Sequence, residues 1–162
     1  MYLQVRMYQL QYVNGNNQWY YQQKLNQHLD LIFCLLLNNN DDLILSGSRD
    51  NTIKFWIKQN EWFCQQTIND HVNSVYSIIW DDQQNKLISC SYDKQILVIE
   101  YSQFDKNWSV KQKIKIDQQG YRLCFINDIL IFLQRINPNI RDGQQYQIAQ
   151  EDKANQCQMW IK

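Results

Sequence analysis

The sequence predicts an all-β fold built from repeated units of four antiparallel strands. The first observation is an internal repeat: residues 28–56 recur as residues 71–99, at a constant spacing of 43 and with no insertion or deletion. The identical residues at this spacing are His28 and His71, Ser46 and Ser89, Ser48 and Ser91, Asp50 and Asp93, and Ile53 and Ile96. A fixed period of about 40 to 45 residues is typical of repeat folds, in which each unit stacks on its neighbours.

The second observation is the pattern of apolar residues inside one repeat. Four short strands are predicted, at 31–37, 43–48, 52–57 and 62–68. The run 31–37 is continuously apolar, as expected for a strand buried on both faces, whereas 62–68 alternates like a strand with one solvated face. The turns at 38–42 and 49–51 are rich in Asn and Asp, which tolerate tight turns. Four antiparallel strands per period describe one blade of a β-propeller.

The repeat pattern also predicts the organisation of the chain. Repeats span about 17–59 and 60–105, and a weaker third begins at 106. Residues 3–13 align one period upstream of 46–56, so the chain begins part-way through a blade. We therefore expect an incomplete propeller over 1–134, with about two full four-stranded blades and partial blades at each end, followed by an irregular or degenerate segment over 135–162.

Composition indicates which kinds of partner the protein binds and in which cellular compartment it resides. The 16 acidic and 16 basic residues balance, so no basic surface predicts a nucleic-acid or membrane partner. The longest apolar run, 31–37, is too short to span a bilayer, and the N-terminus lacks the features of a signal peptide. Five cysteines without a CxxC pair fit a reducing compartment. We expect a cytoplasmic protein that binds neither nucleic acid nor membrane.

No cofactor or metal is expected. The only histidines, His28 and His71, have no cysteine at metal-ligand spacing beside them. The sequence also lacks a glycine-rich phosphate loop and an HExxH motif.

The segment 43–56, with the sequence LILSGSRDNTIKFW, resembles the WD40 repeat. In that family a histidine, a serine, an aspartate and a tryptophan of each blade form a buried chain of hydrogen bonds. The resemblance implies this role for His28, Ser46, Asp50 and Trp56 in the first repeat, and for His71, Ser89 and Asp93 in the second. Ile99 replaces the second tryptophan, and Gln27 and Asp70 replace the glycine that usually precedes the histidine.

A histidine, a serine and an aspartate could also form a hydrolase triad, because a base oriented by a carboxylate can activate a hydroxyl nucleophile. No GxSxG elbow presents either serine, and both sets occupy identical positions of a repeat. We therefore predict a structural role for them and no enzyme activity, with a serine hydrolase as a distant alternative.

The resemblance implies a non-enzymatic scaffold that binds other proteins. The binding face would comprise the loop before the innermost strand and the loop between the second and third strands. In this sequence those loops hold Asp30, Arg49, Asn73 and Tyr92. Arg and Tyr are frequent anchors at interfaces, so Arg49 and Tyr92 are the preferred contacts.

Three further expectations concern the kind of scaffold. The outer strand 62–68, with the sequence WFCQQTI, is similar to that of the WD-repeat adaptor of cytosolic iron–sulfur cluster assembly, which gives one alternative function. The repeat pattern fades after Leu133, which favours a truncated member of the family, and a non-functional propeller remnant is a second alternative. Because an open stack of blades leaves strand edges exposed, self-association could complete the propeller.

Overall fold

The described part of the chain consists of antiparallel β-strands and the turns between them. The computed structural model describes residues 7–13, 18–81, 83–116, 120–126, 129–134, 147–152 and 156–160. In chain order the strands are β1 (Met7–Val13), β2 (Gln18–Leu25), β3 (Ile32–Leu37), β4 (Leu43–Ser48), β5 (Ile53–Lys58), β6 (Trp62–Ile68), β7 (Val75–Trp80), β8 (Lys86–Ser91), β9 (Gln95–Ser102), β10 (Asn107–Lys115), β11 (Gly120–Ile126), β12 (Ile129–Gln134), β13 (Gln147–Asp152) and β14 (Gln156–Trp160). Over these ranges there is no helix long and apolar enough to cross a membrane.

The two repeats form two four-stranded antiparallel sheets. Blade 1 has the order β3-β4-β5-β6, and blade 2 contains β7, β8, β9 and β10 in the same arrangement. The predicted strands of the first repeat agree with β3 to β6 to within one residue at each end. Asn51 takes a left-handed φ of 70° in the turn between β4 and β5, a conformation that Asn tolerates better than most residues. The predicted fold class, an incomplete propeller of four-stranded blades, is confirmed.

Two further sheets flank the blades. Strands β1 and β2 form a two-stranded sheet, here called the half-blade, and β11 to β14 form a third four-stranded sheet. Two stretches of the segment expected to be irregular, 147–152 and 156–160, are therefore strands, and that expectation is corrected for them. These strands are held by backbone hydrogen bonds to β12 and to each other. Short, polar strands can make such bonds without a strong apolar pattern.

Each pair of neighbouring sheets encloses an apolar core. The largest core lies between blades 1 and 2 and contains Leu45, Phe55, Val75, Ile78 and Trp108 among others. Leu25 of the half-blade packs with Trp56 and Trp62 of blade 1, and Leu123 of β11 packs with three buried residues of blade 2. Burial of this apolar surface, rather than contact inside one sheet, holds the blades together.

The prediction that the innermost strand is buried on both faces is wrong for β3. Its residues alternate between half-buried and exposed along the strand. Cys34 and Leu36 pack against the core shared with blade 2, whereas Phe33, Leu35 and Leu37 are exposed. Leu35 and Leu37 are exposed because the half-blade on their side supplies two described strands rather than four. Phe33, at the β-bulge of β3, lies near Tyr76 of blade 2 instead.

A pair of glutamine side chains joins the outermost strands of successive sheets. Gln23 of β2 donates from Nε2 to the Trp62 carbonyl at 2.6 Å and accepts from the Trp62 amide at 2.8 Å. Gln66 of β6 makes the same two bonds to Trp108 of β10, at 2.5 and 3.0 Å. Each glutamine side chain thus makes two hydrogen bonds to the backbone of a strand in the next sheet. It links two strands that are not paired with each other. The 43-residue spacing of the two glutamines was a signal of this role that sequence reasoning did not use.

Candidate functional site

The first repeat contains a continuous chain of four side chains. Asp50 Oδ2 lies 2.8 Å from His28 Nδ1, and His28 Nε2 lies 2.6 Å from Ser46 Oγ. The indole Nε1 of Trp56 donates to the same Ser46 Oγ at 2.8 Å. The structure therefore brings together all four residues that the sequence singled out, with His28, Ser46 and Trp56 buried.

One protonation state satisfies every member of this chain. The indole can only donate, so the Ser46 hydroxyl accepts from Trp56 and donates to His28 Nε2, and the imidazole then carries its hydrogen on Nδ1 and donates it to Asp50. This assignment requires a neutral imidazole. Burial lowers the pKa of His28 below its ordinary value of 6.5, and the adjacent Asp50 only partly offsets that effect.

Asp50 is the centre of the network. Besides His28, its carboxylate accepts from the Leu29 amide at 2.9 Å, the Thr52 amide at 3.0 Å and the Thr52 hydroxyl at 2.6 Å. Burial alone would raise the pKa of Asp50, but the bonds from Thr52, Leu29 and His28 outweigh it and lower the pKa to about 2. The ionised carboxylate thus ties the loop before β3 to the turn between β4 and β5.

The second repeat has the same network with one donor fewer. His71 Nδ1 lies 2.8 Å from Asp93 Oδ2, and Nε2 lies 2.9 Å from Ser89 Oγ. The Val72 amide donates to Asp93 at 3.0 Å, as the Leu29 amide donates to Asp50. Ile99, in the position of Trp56, is buried but has no side-chain donor. The shorter chain still connects the corresponding loop and turn of blade 2.

A second pair of serines supports the same loops and was missed by sequence reasoning. Ser91 Oγ donates to the Asn73 carbonyl at 2.9 Å and accepts from the Asp93 amide at 3.1 Å. Ser48 occupies the equivalent position in blade 1, where it accepts from the Asp50 amide at 3.1 Å. Their identity across the 43-residue period was the available signal.

The chemistry open to these residues follows from their burial. The hydroxyls of Ser46 and Ser89 have the hydrogen-bond partners of a triad, but both residues have no exposed surface. A nucleophile must reach the reacting atom of its substrate, and neither hydroxyl can do so here. Over the described residues no group of three His, Cys, Asp or Glu side chains could hold a metal ion. The geometry therefore favours a structural tie.

The four residues predicted to contact a partner lie at the end of the blades held by these networks. Arg49 Nε is 3.7 Å from Asp30 Oδ2, with the Arg49 side chain exposed and the Asp30 side chain partly exposed. Asn73 is exposed and caps its own loop through the Ser74 amide at 2.8 Å. Tyr92 is exposed and meets the edge of the Tyr76 ring at a centroid distance of 6.2 Å.

Aromatic and aliphatic side chains at the same end were not anticipated. Phe33 of blade 1 lies 5.0 Å from Tyr76 of blade 2, so Phe33, Tyr76 and Tyr92 form an aromatic row across the two blades. Leu29 is 85% exposed and Val72 is 74% exposed. Both follow a histidine of the network directly, and this repeated aliphatic residue was the signal that could have identified them.

The buried histidines predict that acid destabilises the fold. Burial lowers the pKa of His28 and of His71 below 6.5, so the unfolded chain binds more protons than the folded chain as the pH falls through that value. The stability contribution is present above pH 6.5 and is lost below it. Asp50, with a pKa of about 2 against an ordinary 3.8, adds a second loss below about pH 4.

The measurement is the melting temperature between pH 7.5 and 5.0, in buffers of constant ionic strength. The melting temperature should fall in this interval, and the double variant His28→Gln and His71→Gln should show a flatter profile. An equally steep profile in the double variant would assign the acid sensitivity to other groups.

The fold and its two hydrogen-bonded networks define the class of the chain, which forms four-stranded blades of an incomplete β-propeller. In agreement with this, residues 19–56 and 62–100 match the WD40 family, described as "WD domain, G-beta repeat". No curated protein matches the chain.

A solved structure shows the same fold. A chain in the structure described as "Crystal Structure of Mitotic Checkpoint Complex" superposes with a TM-score of 0.65 over 82% of this chain, at 17% sequence identity. This chain spans 40% of the length of that neighbour.

Proposed function

We propose that the protein is a non-catalytic scaffold that binds other proteins through the end of the blades carrying Leu29, Arg49, Val72 and Tyr92. The observation that supports this most is the exposure of two equivalent aliphatic residues, Leu29 and Val72. An exposed aliphatic residue alone is ordinary, but these two lie on loops held by Asp50 and Asp93, at the same end of the blades as the aromatic row.

The rigidity of the loops is the second argument. The backbone amides of Leu29 and Val72 donate to the buried carboxylates of Asp50 and Asp93, which fixes the backbone while both side chains remain exposed. A partner that packs on these residues meets a preorganised surface and orders few loops on binding. Arg49, paired with Asp30 at the edge, adds a charged anchor at the rim. That a similar propeller chain occurs in a protein complex agrees with such a role.

The test is site-specific photo-crosslinking at Tyr92, with Phe63 as the matched control. Tyr92 is 39% exposed and Phe63 on β6 is 38% exposed, so the two positions are equally accessible. A photoreactive phenylalanine analogue at position 92 should crosslink to defined proteins in cells, and the analogue at position 63 should not. Leu29→Ser combined with Val72→Ser should reduce those crosslinks at least tenfold. Equal crosslinking at both positions would contradict the proposed face.

The second candidate is a cytosolic iron–sulfur cluster assembly adaptor, and it rests on strand β6. Within that strand Trp62 packs against Trp56, and Cys64 is half-buried beside them with its thiol 3.4 Å from the Gln66 carbonyl. The motif residues thus contribute to the packing of blade 1. Recovery of iron–sulfur apoproteins among the Tyr92 crosslinks would favour this candidate over a scaffold of another pathway.

We also propose a cytoplasmic location, which the free thiols of Cys34, Cys64 and Cys90 support. Burial raises the pKa of the Cys34 thiol to about 12, so that thiol stays protonated and unreactive at neutral pH. The alternative of a non-functional remnant predicts no cooperative melting and no defined crosslink at Tyr92.

A further inference from the structure

The innermost strands of both blades have a β-bulge at equivalent positions. In β3 the bulge falls between Ile32 and Cys34, and its extra residue is Phe33. In β7 the extra residue is Tyr76, one period of 43 residues later. A bulge bends its strand and re-aims the side chain of the extra residue. Here the two re-aimed rings meet across the blades, with centroids 5.0 Å apart and an interplanar angle of 32°.

The residues that directly follow β4 and β8 lie beside these bulges. In blade 2 the Tyr92 amide donates to the Ser74 carbonyl at 3.0 Å, and the Tyr92 ring meets the edge of the Tyr76 ring. In blade 1 Arg49 makes the equivalent bond, from its amide to the Leu31 carbonyl at 2.8 Å. Arg49 therefore occupies beside the first bulge the position that Tyr92 occupies beside the second. A guanidinium thus lies at the blade 1 end of the aromatic row.

The Arg49 guanidinium is available to a ligand. Its Nε lies 3.7 Å from Asp30 Oδ2, which is longer than a hydrogen bond, and 58% of the Arg49 side chain is exposed. With the described residues the guanidinium forms no hydrogen bond. A guanidinium presents its N–H groups as a planar fork, to which a carboxylate binds through two parallel hydrogen bonds. The N–H groups of Arg49 therefore match a carboxylate.

The charges around Arg49 distinguish a carboxylate from a phosphate. Asp30 offsets the charge of Arg49, and the other members of the row are aromatic. Phosphate groups, in phosphopeptides and in nucleic acids, are bound by clusters of basic residues. The 16 acidic and 16 basic residues of the whole chain balance as well. A singly charged carboxylate on a polypeptide therefore fits this surface better than a phosphate.

The dimensions of the aromatic row set the length of the partner segment. The centroids of Phe33 and Tyr76 are 5.0 Å apart, and those of Tyr76 and Tyr92 are 6.2 Å apart. An extended chain advances about 3.3 Å per residue, so about three to four residues span the row. Phe33 is 41% exposed and Tyr92 is 39% exposed, so apolar side chains that cover them remove apolar surface from water.

We propose that this end of the blades binds an extended segment of a partner protein, with an acidic residue within about four positions of apolar residues. The carboxylate bonds to Arg49, and the apolar side chains pack on the aromatic row. This inference rests on the proposed scaffold function and names the chemistry of the segment that the scaffold binds. Defined crosslinks at Tyr92 without an acidic preference would refute this inference alone, whereas equal crosslinking at Tyr92 and Phe63 would refute both.

The experiment selects a phage-displayed library of random peptides, each of about 12 residues, on the full chain under reducing conditions. Relative to the unselected library, enriched peptides should carry Asp or Glu within about four positions of an aliphatic, aromatic or proline residue. Selection on Arg49→Glu should instead enrich Lys or Arg at that place. The matched control is Lys106→Glu, a charge reversal in the exposed turn between β9 and β10, at the opposite end of the blades. It should enrich the same peptides as wild type.

A mutant cycle measures the carboxylate contact directly, by fluorescence anisotropy of an enriched peptide labelled with fluorescein. Changing the acidic residue of the peptide to its amide should weaken binding to wild type at least fivefold, but binding to Arg49→Gln less than twofold. Tyr92→Ala should weaken binding of the unchanged peptide at least fivefold. The melting temperatures of both variants should change little, because both side chains are exposed.

Three results of these measurements would overturn the proposal: selection enriches no peptide, the enriched peptides lack the acidic residue, or the two affinity losses in the cycle simply add. The last check replaces the acidic residue of the peptide with phosphoserine, and separately offers a labelled single-stranded RNA of the same length. At least tenfold tighter binding of either one would overturn the assignment of a carboxylate ligand.

Discussion

Replacing Asp50 with alanine is expected to lower the free energy of unfolding by about 3 kcal/mol, among the largest effects of any single polar substitution in the chain. The carboxylate accepts four hydrogen bonds, from His28, Leu29 and both donors of Thr52. Removal leaves the buried imidazole N–H without its acceptor, and a buried unsatisfied donor costs about 1 to 3 kcal/mol. The remaining groups lie nearer the surface, where water can replace part of the loss.

The measurement is urea unfolding of wild type, Asp50→Ala and Asp50→Asn. Asparagine keeps one acceptor oxygen and should recover about half of the lost stability, since bonds to a charged acceptor are roughly twice as strong as bonds to a neutral one. The control is Glu61→Ala, a carboxylate in an exposed turn, which should change stability by less than about 0.5 kcal/mol. If Asp50→Ala and Glu61→Ala lower the free energy of unfolding equally, the hydrogen-bonded network does not contribute measurably to stability.

Replacing Gly47 with valine is expected to cost about 3 kcal/mol through steric overlap between blades 1 and 2. An ideal Cβ at this position would lie 2.6 Å from Cys34 Sγ and 2.8 Å from Val75 Cγ1. Both neighbours sit on strands of a close-packed core, and the branched side chain of Val75 is stiff at χ1. The overlap therefore separates the blades rather than being absorbed by a rotamer change.

A mutant cycle checks this assignment. Gly47→Ala alone should cost about 1 to 2 kcal/mol, and Cys34→Ala should offset part of that cost by removing the nearest atom. The residue one period later is Cys90, which is fully buried and shows that a side chain fits at this position in blade 2. If the stability losses of Gly47→Ala and Cys34→Ala simply add in the double variant, the added methyl group does not overlap with Cys34.

The repeat period predicted most of what is local to one repeat. Residue identities at a fixed spacing predicted the strands of blade 1 and the contact between His28, Ser46, Asp50 and Trp56. They do so because residues at equivalent positions of the two blades make equivalent contacts. The exposure of Leu35 could not be predicted in this way. It depends on how many strands the neighbouring sheet supplies, which is a property of the assembly and not of the repeat.

Strands β13 and β14 were missed for a different reason. Their sequences, QIAQED and QCQMW, contain few of the β-branched and aromatic residues that mark a strand. Pairing with β12 and with each other supplies backbone hydrogen bonds that no side-chain pattern records. Likewise, the local sequence does not distinguish Leu29 and Val72 from ordinary loop residues. Only the structure shows that their backbone amides donate to Asp50 and Asp93.

The glutamines Gln23 and Gln66 have a consequence for how the blades open. Each joins the outer rim of one sheet to the next, whereas the apolar cores join them nearer the centre. Two adjacent blades are therefore in contact at two places, at the outer strands through the glutamine hydrogen bonds and nearer the centre through the apolar core. One blade cannot rotate relative to the other without breaking a polar or an apolar contact. Slow opening events, as seen by amide hydrogen exchange, should thus involve β2 with β6, or β6 with β10, as cooperative pairs rather than as single fraying edges.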